Sequence, residues 1–431
     1  MLKPHTVFFT VLGLVVVAVA LLAAGRDQKW VMSAPLQDEE LDAAFFAGKD
    51  AKQIAEVPEP TSLRPCCIFG NDVGAQLGSL PVPGYEITYT LEVNTLGSHQ
   101  YNKGTVAFEP RGGKRVLSDE VSGIVYTCRG GFVDVAHVRD NADRTLYLAS
   151  QIGRLAATGG VVPLTGEGAA RRVVVKPIDR GLVRALGLRE VVVSLAEWLS
   201  FQAGVWHEIT TWYGWSSTPF SERPSAYSPE DLYSNALGIK IAGAILRRHG
   251  AAATELSYNE AVTAGLRDTL IKLGPLPQEA SRRAFVYVDG IWWDSTKRVP
   301  DNQLVRHRNF NLGPWLSPWK LADAIDADAL EASRKEFDHH CRGDWTPLVL
   351  NVPDQLGEVP FRQMATLEVE PDALLVNGGF PFPRKGSTAI TQDDFPFVTS
   401  AVERAADTEL GPGTGKPVAR LGEKSRYRQS P

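Results

Sequence analysis

The chain has 431 residues, a formal net charge of -5 and a pI near 6.0, so it offers no basic field to attract a phosphate backbone, which argues against nucleic acid as a partner. Hydrophobic residues at 44% and charged residues at 22% are the proportions of an ordinary folded protein and exclude both wholesale disorder and a polytopic membrane protein. The length admits one large domain or two closely packed ones.

Residues 1–6 carry Lys3, and residues 7–24 (VFFTVLGLVVVAVALLAA) continue without a charge. Such a run is either a signal peptide, with Ala23 and Gly25 suited to a cut before Arg26, or a retained membrane anchor. Both readings export the remainder of the chain, to the periplasm or the outer face of the inner membrane. No cysteine comes directly after the apolar run, so lipidation there is excluded. Residues 26–62 are mixed and polar and end in Pro-Glu-Pro, a stalk closing in a short helix. One globular body is expected over residues 63–405, with a division into subdomains near residue 180 as an alternative. From Asp407 the chain loses large apolar residues and gains Gly, Pro and charge, which predicts a disordered tail over residues 406–431.

Within the body, Tyr85, Ile87, Tyr89, Leu91 and Val93 alternate with polar residues, the period of a half-buried strand. Further strands are expected at residues 105–108, 123–127 and 172–176, each bounded by glycine or proline. In residues 132–150, Val135, Val138, Ala142, Leu146 and Ala149 recur at spacings of three and four, predicting a helix. Residues 191–212 predict a second, strongly apolar helix. Ser228, Pro229, Glu230 and Asp231 read as an N-cap, a first-turn proline and acids on a positive helix end, opening a helix to about Arg248. Ser257 and Glu260 form a capping-box pattern for a helix ending at Gly274-Pro275. Asp289-Gly290, between residues 284–288 and 291–293, predicts a β-hairpin. The fold class is therefore α+β: a small N-terminal antiparallel sheet, a central helical layer and a later hairpin.

The polar faces of two helices carry the candidate chemistry. Glu197, Ser200, Gly204, His207, Glu208 and Thr211 lie opposite the apolar stripe of the 191–212 helix, and residues 191–222 contain no Lys or Arg. Acids on such a face, flanked by tryptophans, are enclosed rather than solvated and need a metal, a cation or a proton. His207-Glu208 does not open a zinc-protease motif, because that motif needs a second histidine where Thr211 stands. On the 132–150 helix, His137 and Asp140 are neighbours at i and i+3. If the two faces meet, His137, Asp140, His207 and Glu208 would ligate a divalent metal such as zinc, with Glu197 or Asp231 as general base or outer acid. The alternatives are a metal-free acid-base site, or two polar faces that never meet, with Arg144 neutralising Asp140 and Asp231 merely stabilising a helix start. Cys128, ahead of Gly130-Gly131 and a helix start, is placed either for a reactive thiolate or for a disulfide with one of Cys66, Cys67 and Cys341.

The strings RPCCIFG (64–70), AHVRDNAD (136–143), WHEITTWYGW (206–215), PSAYSPEDLYSN (224–235), DGIWWDS (289–295) and RHRNF (306–310) resemble the bacterial family known as domain of unknown function 4056. The resemblance implies an envelope protein and brings no activity with it. Many members carry lipoprotein-type signals, which this chain lacks. The functional expectation is a metal-dependent hydrolase acting on an envelope substrate. Its alternative is a non-catalytic envelope protein that binds a glycan, lipid or protein through aromatic loops around Trp212 to Phe220 and at Trp292-Trp293, held at the membrane by its N-terminal helix.

Overall fold

The computed structural model describes residues 57–65, 68–87, 90–104, 120–214, 222–249 and 255–410. In chain order these form β1 (Val73–Leu77), β2 (Leu80–Ile87), β3 (Ile124–Thr127), β4 (Gly131–Asp134), α1 (Val135–Leu155), β5 (Gly160–Leu164), β6 (Ala169–Val175), α2 (Arg180–Leu186), α3 (Leu188–Tyr213), α4 (Asp231–His249), α5 (Glu255–Leu273) and α6 (Gln278–Tyr287). Then come β7 (Trp315–Leu316), α7 (Ala327–Cys341), β8 (Leu350–Asn351), β9 (Gln355–Leu356), β10 (Val359–Pro360), β11 (Ala365–Pro371), α8 (Ala373–Asn377), β12 (Ile390–Thr391) and α9 (Phe395–Leu410). The class is mixed α and β, with nine helices and several small antiparallel sheets among the described residues. No helix among them is long and apolar enough to cross a membrane.

Three helices make the centre. α1 packs along both α3 and α4, and those two pack on each other. The absence of Lys and Arg from this stretch of α3 has its cause here: Val191 and Ile209 on one side and Glu197, His207 and Glu208 on the other are all buried. Two glycines permit the close approach. A Cβ on Gly238 of α4 would stand 2.0 Å from the Val138 carbonyl oxygen of α1, and one on Gly204 of α3 would stand 3.2 Å from both Asn141 and Asn235. One large apolar core runs from Val57 to Ala406 and joins these helices to the four-stranded sheet β12-β11-β6-β5, antiparallel throughout. A second, aromatic core gathers Phe69, Phe132, Phe285 and Trp292 under the β3–β4 hairpin, α6 and α7.

Several local expectations move. The first strand pair is β1 with β2, and β2 ends at Ile87. Thr90 bridges Ile124, the Leu91 amide donates to Ile124 O, and Val93 opens a 3-10 turn, so the alternation through Val93 is not one strand. The helix expected from residue 132 opens at Val135, because Gly131, at φ 61°, turns the chain back to pair residues 131–134 with β3; Asp134 then caps α1 by accepting from the Ala136 amide at 2.7 Å. α4 starts at Asp231, and its carboxylate accepts from the Ser228 amide at 2.6 Å, while the Ser228 hydroxyl donates to Ser225 O instead of capping. Ser257 lies inside α5, which already includes Glu255.

The hairpin expected at Asp289-Gly290 is absent. Residues 278–287 are helical because Ser281, Ala284 and Phe285 recur at three and four and enter the aromatic core, leaving Gly290, at φ 80°, in a turn after the helix. Residues 407–410, expected in the tail, are the last turn of α9, which docks through Val402 and Ala406. Val57 is in the core and Tyr101 Oη donates to Pro58 O at 2.6 Å, so the described body includes residues expected in the stalk. Cys128 is bridged to Cys341, which removes the thiolate reading. Trp212, Trp292 and Trp293 are buried core residues and not a display of aromatic loops. The N-terminal apolar run, Cys66-Cys67, the strand at 105–108, Trp215, Phe220 and residues 411–431 lie outside the described residues.

Candidate metal centre

The first turn of α1, the first turn of α4 and the C-terminal half of α3 converge. His137 comes from α1, His207 and Glu208 from α3, and one ligating atom from each lies within 4.8 Å of the others. The two imidazoles meet edge to face with ring centroids 5.5 Å apart. All three side chains are enclosed: His137 is 5% exposed, His207 6% and Glu208 1%.

Each imidazole is steered by a partner on its Nδ1. His137 Nδ1 donates to Asn235 Oδ1 at 2.8 Å, and Asn235 Oδ1 also accepts from Asn141 Nδ2 at 2.6 Å. His207 Nδ1 donates to Glu167 Oε1 at 3.0 Å. A neutral imidazole that donates from Nδ1 carries its lone pair on Nε2, the arrangement found where histidine binds a metal. His137 Nε2 stands 3.4 Å from Asp231 Oδ1, and His137 Nδ1 is 3.9 Å from Glu208 Oε1. Glu208 Oε2 accepts from the Tyr227 amide at 2.8 Å, while its Oε1 and Asp231 Oδ1 are buried without a hydrogen-bond partner.

The electrostatics are those of a site built for positive charge. Glu208, Glu230 and Asp231 are each 1% exposed, and none of them is within ion-pair distance of a Lys or Arg among the described residues. Burial raises the Asp231 carboxyl well above its ordinary range, and Glu208, Glu230 and Asp134 push it further. Burial does the same to Glu230, aided by Asp134 and Glu208. The N-termini of α1 and α4 face this cluster, and their dipoles offset part of the charge, though a dipole end equals only about half a unit. Arg308, a buried cation that feels both Asp231 and Glu208, gives its Nη1 to the Ala226 carbonyl. Two imidazoles and a carboxylate with unmet oxygens beside them fit zinc or a similar divalent ion, whose charge would resolve the crowding of acids.

Glu167, which periodicity could not reveal, anchors the other side. It sits in the β5–β6 turn as Gly166-Glu167-Gly168, all three at positive φ (75°, 54° and 64°). Its carboxylate meets Arg144 at 3.1 Å as well as Arg171 and His207, and its carbonyl accepts from Trp206 Nε1 at 3.0 Å. Burial would raise this carboxyl, but Arg171 and Arg144 outweigh it and hold Glu167 ionised far below the usual range. Burial would likewise lower His207, but Glu167 and then Glu208 outweigh it and raise the imidazole.

Of the residues singled out in the sequence, His137, His207 and Glu208 share this centre, with Asp231 beside them. Asp140 stands elsewhere: its carboxylate takes the Arg64 guanidinium at 2.6 Å and the Arg64 amide at 3.1 Å, so it is already neutralised. Arg144, the partner considered for Asp140, serves Glu167 instead. Glu197 is also away from the centre, paired with Arg247 at 2.7 Å and Lys240 at 3.0 Å; ten residues before His207, it sits about 15 Å along the α3 axis.

A family model described as protein of unknown function (DUF4056) matches residues 54–322, more than half of the chain. Neither the curated proteins nor the solved structures gave a match. The matched span contains His137, Glu167, His207, Glu208, Asp231 and Asn235, together with the three helices that present them: the chain belongs to the DUF4056 family, and the candidate centre lies inside its family region.

Proposed function

We propose that the protein is a metal-dependent hydrolase acting on a cell-envelope substrate, with His137, His207 and Glu208 holding a divalent ion such as zinc. The observation that carries this reading is the meeting of those three donors within 4.8 Å, in a buried cluster where Glu230 and Asp231 have no Lys or Arg at ion-pair distance among the described residues. A divalent ion bound there would supply an activated water at neutral pH. Asn235 and Glu167 fix which nitrogen each histidine offers. Asp231, 3.4 Å from His137 Nε2 and held by the Ser228 amide, is the side chain placed to take or return a proton beside that water. The export run at residues 7–24 and the Cys128–Cys341 bridge support an oxidising, extracytoplasmic setting.

Near-complete burial favours one second reading, a non-catalytic envelope binding protein whose metal is structural, since structural metal sites are closed and catalytic ones keep an open position. Elemental analysis of the purified full-length chain, followed by hydrolysis of ester, amide and glycoside probes before and after chelation, separates them. The hydrolase reading expects bound metal and activity that chelation abolishes and metal restores. Bound metal without hydrolysis favours the structural role, and no metal in the wild type removes both.

A further inference from the structure

Glu167 has the attributes of a part made for its place. A non-glycine residue at φ 54° between two glycines is held in the left-handed region, which L side chains rarely adopt. A polar turn residue at the end of a β-hairpin normally faces water, yet this carboxylate is turned inward and sits between the guanidiniums of Arg144 and Arg171 and the His207 ring. A side chain and a backbone amide pin the turn: Trp206 Nε1 donates to Glu167 O, and the Asp372 amide donates to Gly168 O at 2.9 Å. A Cβ on Gly168 would approach Thr210 Oγ1 to 2.7 Å, so the turn lies directly against α3 one helical turn from His207.

We infer that Glu167 is a positioning residue of the metal centre: it accepts His207 Nδ1–H, fixes that ring as the tautomer with its lone pair on Nε2, and is itself fixed by Arg144 and Arg171. The inference rests on the proposed metal reading and adds to it a residue that never touches the metal. Arg144, at 3.1 Å, and Arg171 hold the Glu167 carboxylate in place independently of His207 and of any metal. The ring is therefore set before metal arrives. Outer partners of this kind typically affect metal affinity by about 10- to 100-fold.

The test uses the full-length protein and Co(II), whose visible absorption reports its ligands. The Glu167→Ala variant is expected to bind Co(II) about 10- to 100-fold more weakly with an altered visible spectrum. Glu167→Gln, which keeps an acceptor oxygen, is expected to recover the wild-type spectrum and most of the affinity. A purely structural role for Glu167 would lower thermal stability while leaving the spectrum unchanged, and Glu167→Ala binding Co(II) as the wild type does would overturn the inference alone. Wild type that takes up no Co(II) overturns the metal reading and the inference with it. Should Glu167→Ala not fold, nitrogen-15 spectra of the metal-free wild type at alkaline pH decide: His207 as the Nδ1–H tautomer is expected, and the Nε2–H form overturns the assignment.

Discussion

The His207→Ala substitution separates metal binding from packing. Glu167 keeps Arg144 at 3.1 Å and Arg171 when the imidazole is gone, so no ion is stranded and the hairpin turn remains neutralised. Truncating a buried side chain here should cost about 1–3 kcal/mol, equally in metal-free and metal-loaded protein. The metal term behaves differently. Zinc at about 100 times its dissociation constant stabilises the native state by about 2.7 kcal/mol, which for a large domain corresponds to about 5–10 °C in Tm. Losing one of three protein ligands should weaken binding at least about 100-fold, the upper end for loss of a mere outer partner. The same zinc concentration then stands near the new dissociation constant and contributes about 0.4 kcal/mol, about 1 °C. Thermal unfolding of full-length wild type and variant, each with and without zinc, measures the increment. A variant that keeps the wild-type increment, or a wild type with none, would refute the assignment of His207.

Other consequences concern the surroundings of the centre. Arg64→Met removes the fully buried guanidinium that Glu120, Asp140 and Asp143 share and should cost about 3–5 kcal/mol in urea unfolding. Asp140→Asn should leave zinc uptake unchanged, since Asp140 faces Arg64 and not the histidines. Burial alone would raise Glu120, but Arg64 and Arg139 outweigh it and hold the carboxyl well below its ordinary 4.5. Its stabilising contribution is therefore complete above about pH 4.5 and is lost as pH falls through the depressed value, and Arg139→Met should shrink the acid-side slope in an unfolding titration. The Cys128–Cys341 bridge spans 213 residues, and on chain entropy its reduction should cost about 5 kcal/mol, read as a drop in the urea midpoint on adding reductant; an unchanged midpoint would show that the bridge does not form.

Periodicity decides which parts of the centre the sequence discloses and which it hides. The His207-Glu208 pair lies on a polar helix face with no Lys or Arg, which marks it as an inward side, whereas the flank of His137 also carries Arg144 and is marked only by the pairing of an imidazole with a carboxylate at i+3. Asp140 shares His137's flank at i+3, but a helix side is broad enough to meet two neighbours: His137 reaches Asn235 on α4 while Asp140 reaches Arg64 from the segment before β1. Glu197 has a face suited to the centre and a height that is not, a distinction visible in the rise per residue. Glu167 has no periodic context; the only trace is a single acid between two glycines in a short turn. At the fold level, long helices with stripes of apolar residues are legible, whereas Asp289-Gly290 is ambiguous because a hairpin and the end of a helix both use glycine at positive φ.

The contact of Gly238 with the Val138 carbonyl has a bearing on how the centre could be altered. Because main chain rests on main chain there, the gauge between α1 and α4 is set by atoms that no side-chain exchange can thin or thicken. His137 on α1, and Asp231 and Asn235 beside it on α4, can therefore be exchanged, imidazole for thiolate or short acid for long, against a fixed span. Metal preference then turns on donor identity, while a methyl group added at position 238 would push α4 off α1 and carry His137 away from Asn235 and Asp231.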